Sequence, residues 1–161
     1  MGSGKTSVGR IIAERLGFTP VDTDQSVIDN TGLQITEIFK EHGEGWFRER
    51  ETAALESLRG RSGLVISTGG GIVLSEKNVA LMKELGFVAW LTAAEQVLYE
   101  RVAHGNKRPL VQTADPRGTI RKLLAEREPL YASAAHYTID TAGRTHEEVA
   151  EDIILKARGA V

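Results

Sequence analysis

Five residues near the amino end, Gly2-Ser3-Gly4-Lys5-Thr6, join backbone freedom, a cation and a hydroxyl just ahead of a helical run. Glycines let successive N–H groups curl around phosphate oxygens, and the positive end of the following helix dipole adds to the attraction. The lysine of such a loop reaches the β- and γ-phosphates and the next hydroxyl ligates Mg²⁺, so these residues form the distal part of a GxxxxGK[ST] phosphate loop. Asp22 and Asp24, in Val21-Asp22-Thr23-Asp24, close the first short apolar run. Two residues apart on a strand, they are expected to point the same way. One carboxylate can then hold Mg²⁺ through water while the other accepts a hydrogen bond from a substrate hydroxyl. The competing reading is that Asp24 only N-caps the helix that follows.

Thr68-Gly69-Gly70-Gly71 directly follows the apolar run Leu64-Val65-Ile66-Ser67. Three consecutive glycines lower strand and helix stability by roughly 0.5–1 kcal/mol each. Either a sharp crossover or close approach of the backbone to a ligand would account for them. Arginines make the third feature: Arg48 beside Glu51 at helical spacing, Arg108 before Pro109 in a basic stretch, and Arg127 in Glu126-Arg127-Glu128-Pro129. A guanidinium clamps a carboxylate through two parallel hydrogen bonds or neutralises a migrating phosphoryl group, although each arginine alone can equally be a solvated surface residue. His42, His104, His136 and His146 lack ligand spacing, and Trp46 and Trp90 read as packing residues.

The elements that must position these groups alternate between helical and strand patterns. Val8, Ile11, Ile12 and Leu16 mark a helix over Lys5–Leu16 that Gly17 stops. Strands are expected over Phe18–Asp22, Leu64–Ser67, Phe87–Leu91 and Tyr137–Asp140, with helices over Gln25–Thr31, Ile35–Glu41 and about Glu44–Arg59. Ser75 caps a helix to Leu85, and Thr92 with Glu95 and Thr145 with Glu148 form capping boxes. The first of these boxes opens a helix to about His104, and His104–Ala114 reads as a mobile polar loop. Asp115-Pro116 starts a helix that Pro129 should kink or end near Glu128. This alternation implies an α/β layered fold with a mainly parallel sheet.

At 161 residues, 41% hydrophobic and 26% charged, the chain has the length of one domain with a true core. A net charge of −2 and 6% aromatics remove the basis for a nucleic-acid or membrane-surface binder. The absence of cysteine excludes disulfide scaffolds, thiolate zinc sites and thiol nucleophiles. No apolar run approaches the length of a bilayer span, no basic-apolar leader precedes the first motif, and the chain is expected to be cytoplasmic.

In order and spacing, MGSGKTSVGR, VDTD, TGLQITEIFKEHGEGWFRERE, STGGGIV, KRPLV and EREPLY resemble the shikimate kinase family of P-loop proteins over nearly the whole chain. The resemblance implies a three-layer P-loop NTPase fold with a five-stranded parallel sheet, family order 2-3-1-4-5, in one domain over residues 1–161 with a lid at about 104–114. It implies transfer of the γ-phosphoryl of ATP to the 3-hydroxyl of shikimate, with Mg²⁺, by a monomer. Gly2, Ser3, Gly4, Lys5, Thr6 and Ser7 match the nucleotide loop, Thr6 and Asp22 the metal site, and Asp24 the carboxylate that binds the substrate hydroxyls and acts as base. Arg48, Gly69, Gly70, Gly71 and Arg127 match the substrate site, Glu51 the carboxylate fixing Arg48, and Arg108 the lid arginine. Arg101 and Arg144 fall where the family contacts adenine. Another small-metabolite kinase, such as a gluconate kinase, and a catalytically impaired nucleotide-binding relative are the alternatives. The full phosphate-loop pattern also calls for a glycine five residues before Gly4 and a buried strand leading into it. Both are expected upstream of Met1, with a gap mid-sheet beside the Gly2–Thr6 loop.

Overall fold

The computed structural model describes residues 3–93 and 115–160. The expectations for the helix reaching His104, for the loop 104–114, and for Gly2, Arg101 and Arg108 lie outside the described residues.

The chain opens with α1 (Lys5–Leu16), which buries Val8, Ile12 and Ala13. Gly17 ends it at φ +66°, its N–H turned back on Ala13 and Glu14 carbonyls, a left-handed geometry that favours glycine. β1 (Thr19–Asp22) leads directly into α2 (Thr23–Thr31), followed by α3 (Ile35–Glu41) and α4 (Gly43–Glu56). β2 (Leu64–Ser67) pairs in parallel with β1, Thr19 opposite Leu64 and Asp22 opposite Ser67. The glycine loop then enters a 3-10 turn at Ile72–Leu74 and α5 (Glu76–Leu85), where the Ser75 hydroxyl accepts from the Asn78 N–H. β3 (Ala89–Thr92) pairs in parallel with β4 (Tyr137–Asp140). Between them in sequence comes α6 (Pro116–Ala134), capped by the Asp115 carboxylate, and after them α7 (His146–Gly159), opened by the Thr145–Glu148 capping box.

The helices cover both faces of the strands, as an α/β layered fold requires. On one face, Val8 and Ile12 of α1 meet Val149, Ile153 and Ile154 of α7 over Val65 and Leu91. On the other, Leu55, Ile72, Leu81 and Ala134 pack with Ile66 and Tyr131. Val65 and Ile66, adjacent in β2, thus serve opposite cores, the alternation a twice-buried strand requires. A third cluster, Val27, Ile38, Phe47 and Ala54, binds α2 and α3 to α4.

Among the described residues no strand joins β2 to β3, so the sheet consists of two parallel pairs. An apolar slot of about 490 Å³ lies between the pairs, walled by Val65, Ile66, Ala89 and Leu91 and by Val8 and Ile12 of α1, with Lys5 at one end.

Two expectations are corrected. Of the kink or end expected at Pro129, the end is not realised: α6 runs on to Ala134. Proline removes one N–H, but Tyr131 and Ala134 beyond it are set into the core and the Lys83 ammonium donates to the Ser133 carbonyl, so packing outweighs one lost backbone bond. Asp24 is not an N-cap. β1 stops at Asp22, whose own carboxylate caps α2 by accepting from the Asp24 and Gln25 N–H groups.

Candidate active site

The carboxyl ends of β1 and β2 and the amino end of α1 converge on the first part of the site. Gly4 adopts φ +83°, and the helix follows immediately with Lys5. α1 lies close on β2: a side chain at Gly9 would meet the Ser67 hydroxyl at 2.7 Å, and that hydroxyl donates to the Lys5 carbonyl at 3.5 Å. Ser3 is buried beneath the loop, whereas Thr6 and Ser7 are exposed. The Thr6 hydroxyl donates to Asp22 Oδ2 at 3.4 Å while Asp22 Oδ1 caps α2. A hydroxyl and a carboxylate so placed are the hard oxygen donors that Mg²⁺ takes alongside water and phosphate oxygens, and Thr6 and Asp22 fit that ion. Both line a cleft of about 750 Å³, together with Asp24.

Asp22 and Asp24 do not point together as strand alternation suggested, because the strand ends between them. Asp22 faces Thr6, whereas Asp24, in the first turn of α2, faces the glycine loop. A Cβ on Gly69 would sit 2.9 Å from Asp24 Oδ1 and 3.1 Å from Glu51 Oε1, and one on Gly71 would fall on the Arg48 guanidinium. The groups that approach Gly69 and Gly71 closely are therefore the protein's own charged side chains, a need for glycine that neither the crossover nor the ligand reading had named.

Arg48 donates from Nη1 to Glu51 at 3.2 Å and from Nη2 to Glu44 at 2.8 Å, while its buried Nε has no hydrogen-bond partner among the described residues. Glu51 is fully buried, and its Oε1 likewise has none. Burial first, and the Asp24 charge beside it, push the Glu51 carboxyl up to about 7 against the pull of Arg48 and Arg127. That coupling places Arg127, on α6 and only 7% exposed, in the same electrostatic cluster. Among the described residues Arg127 makes no hydrogen bond or ion pair, which leaves it able to receive an anion.

Arg144 lies apart from this cluster, its guanidinium donating to Asp152 at 3.0 Å and to the Glu148 carbonyl at 3.3 Å. Two contacts escaped the sequence reading. His146, at the start of α7, lies against the phosphate loop, 2.9 Å from where a Cβ on Gly4 would stand. The Tyr131 hydroxyl donates to the Gly70 carbonyl at 2.5 Å. Only its spacing of four residues from Arg127, one helical turn, hinted at the second.

A glycine loop that opens a helix beside a hydroxyl–carboxylate pair, on parallel strands flanked by helices, is the frame of a P-loop phosphotransferase. Comparison with known proteins narrows the class. The chain belongs to the shikimate kinase family, whose pattern it matches over residues 1–158. It is 44% identical over 154 residues to the shikimate kinase of Thermodesulfovibrio yellowstonii, covering 96% of this chain and 88% of that one. With the shikimate kinase of Caldanaerobacter subterraneus it shares 42% over 162 residues, covering 99% and 94%. Its fold superposes on the shikimate kinase from Acinetobacter baumannii in complex with shikimate with a TM-score of 0.95 at 38% identity, covering 99% of this chain and 89% of that one. On the Aquifex aeolicus enzyme the TM-score is 0.85 at 32% identity, covering 99% and 93%.

Proposed function

We propose that this protein phosphorylates the 3-hydroxyl of shikimate with ATP, giving shikimate 3-phosphate and ADP on the route to aromatic amino acids. The observation that carries this is the meeting, at one glycine loop, of a carboxylate (Asp24) and an anchored guanidinium (Arg48), with a buried arginine (Arg127) that acts on the neighbouring Glu51 and makes no hydrogen bond or ion pair among the described residues. An acceptor with hydroxyls at one end and a carboxylate at the other suits that set. An uncharged sugar would leave Arg127 unpaired and buried.

Ser3, Gly4, Lys5 and Thr6 hold the triphosphate, with Gly2 and Ser7 completing the loop. Thr6 and Asp22 would hold Mg²⁺, which when bound neutralises charge on the β- and γ-phosphate oxygens. Arg48 and Arg127 hold the shikimate carboxylate, and Glu51 fixes the Arg48 guanidinium. Asp24 accepts the proton of the 3-hydroxyl as its oxygen attacks the γ-phosphorus in line. The bond from that phosphorus to the β,γ-bridging oxygen breaks and ADP departs. Lys5 and, from the lid at 104–114, Arg108 offset the charge on the transferred group. Arg101 and Arg144 contact adenine. No helix of the described residues is long and apolar enough to cross a membrane. The protein acts as a cytoplasmic monomer of one domain.

The test is the fate of the phosphoryl group. Phosphorus NMR after incubation with ATP, Mg²⁺ and shikimate is expected to show the phosphate on the 3-hydroxyl, with no phosphoenzyme trapped from labelled ATP. A trapped phosphoenzyme, or a phosphate on another position, would overturn the mechanism.

A further inference from the structure

The glycine loop is held from two sides. On the α4 side Gly71 carries the Arg48 guanidinium, and Gly69 lies against Asp24 and Glu51. The loop's own backbone bonds run from the Ile72 N–H to the Gly69 carbonyl at 3.3 Å and from the Leu74 N–H to the Gly71 carbonyl at 3.1 Å. The carbonyl between them, that of Gly70, points the other way and accepts from the Tyr131 hydroxyl across 61 residues of sequence.

Tyr131 has little freedom. Its ring lies against Trp90, centroids 5.6 Å apart, and packs on the cluster of Leu55, Ile72 and Leu81. It stands four residues after Arg127, so both side chains project from one face of α6 a single turn apart. One hydrogen bond therefore references the helix that carries Arg127 to the same loop on which Arg48 rests.

We propose that Tyr131 is a positioning residue for the substrate carboxylate: by tying α6 to the Gly70 carbonyl, its hydroxyl sets the spacing between Arg127 and Arg48. This rests on the reading of Arg48 and Arg127 as the carboxylate clamp. The hydroxyl bonds the carbonyl of the loop on which Arg48 rests, so its loss is expected to act on shikimate binding rather than on ATP. The loss of one neutral hydrogen bond corresponds to a several-fold effect rather than abolition.

The experiment is steady-state kinetics on the full chain for Tyr131→Phe, Arg127→Ala, Arg48→Ala and the double variant Tyr131→Phe/Arg127→Ala. Tyr131→Phe keeps the ring that packs on Trp90, so the fold persists, and a thermal melt verifies it. Tyr131→Phe is expected to raise the KM for shikimate roughly 3- to 10-fold. The KM for ATP and kcat should each stay within about twofold. In the Arg127→Ala background the same change should raise the shikimate KM by less than about twofold, since there is no clamp arm left to place. Full additivity, an equal rise in both KM values, or no rise at all would overturn the proposal while Arg127→Ala and Arg48→Ala still impair shikimate use. If those two variants leave the shikimate KM unchanged, the clamp reading fails and this proposal falls with it.

Discussion

At the scale of single residues, the site is built on charges with unequal company. Asp22 is committed twice, to the α2 cap and to Thr6, whereas Asp24 is relieved of capping and faces the glycine loop. Because Asp22 does the capping, Asp24→Asn should leave the melting temperature nearly unchanged while lowering kcat by roughly 10²–10⁴. An Asp24→Asn enzyme with full turnover would remove Asp24 from the chemistry. Glu51 makes a second case. Its folded pKa of about 7 lies above the 4.5 of an ordinary glutamate, so between those values the folded state holds a proton that the unfolded chain has lost. The stability contributed by this group is fully present below about pH 4.5 and is lost as pH rises through about 7. Denaturant titrations of wild type and Glu51→Gln at pH 4.5 and 7.5 should therefore differ by an offset that changes with pH, on the order of 3 kcal/mol. A constant offset would contradict the assigned pKa.

At the scale of elements, the glycine loop decides whether Arg48 is in place. Gly71 has φ −89°, a conformation open to any residue, so Gly71→Ala carries no backbone strain and acts only through the guanidinium it would displace. Its expected effect is a loss of roughly 10²-fold in kcat/KM for shikimate with ATP binding preserved, read from kinetics and nucleotide titration. Unchanged shikimate kinetics would mean that Arg48 has room to move. Much of this scale was legible in the chain itself. The caps at Ser75, Asp115 and Thr145 could be read because capping depends on residues three apart, and Leu64–Ser67 because a twice-buried strand is a continuous apolar run. Other features could not be read because they are set through space. The persistence of α6 past Pro129 depends on where Tyr131 and Ala134 land, and the exchange of roles between Asp22 and Asp24 turns on where β1 stops. The arrival of Arg48 at Gly71 pairs α4 with a loop more than twenty residues away.

At the scale of the whole molecule, two parallel strand pairs face one another across an apolar slot of about 490 Å³, and among the described residues no strand bridges them. The central claim, a metabolite kinase specific for shikimate, is tested most directly by ADP release in a coupled assay with ATP and Mg²⁺ and with shikimate, gluconate or no acceptor. ADP release dependent on shikimate and at background with gluconate is the predicted result. Release that is indifferent to acceptor, or that follows gluconate instead, would contradict it.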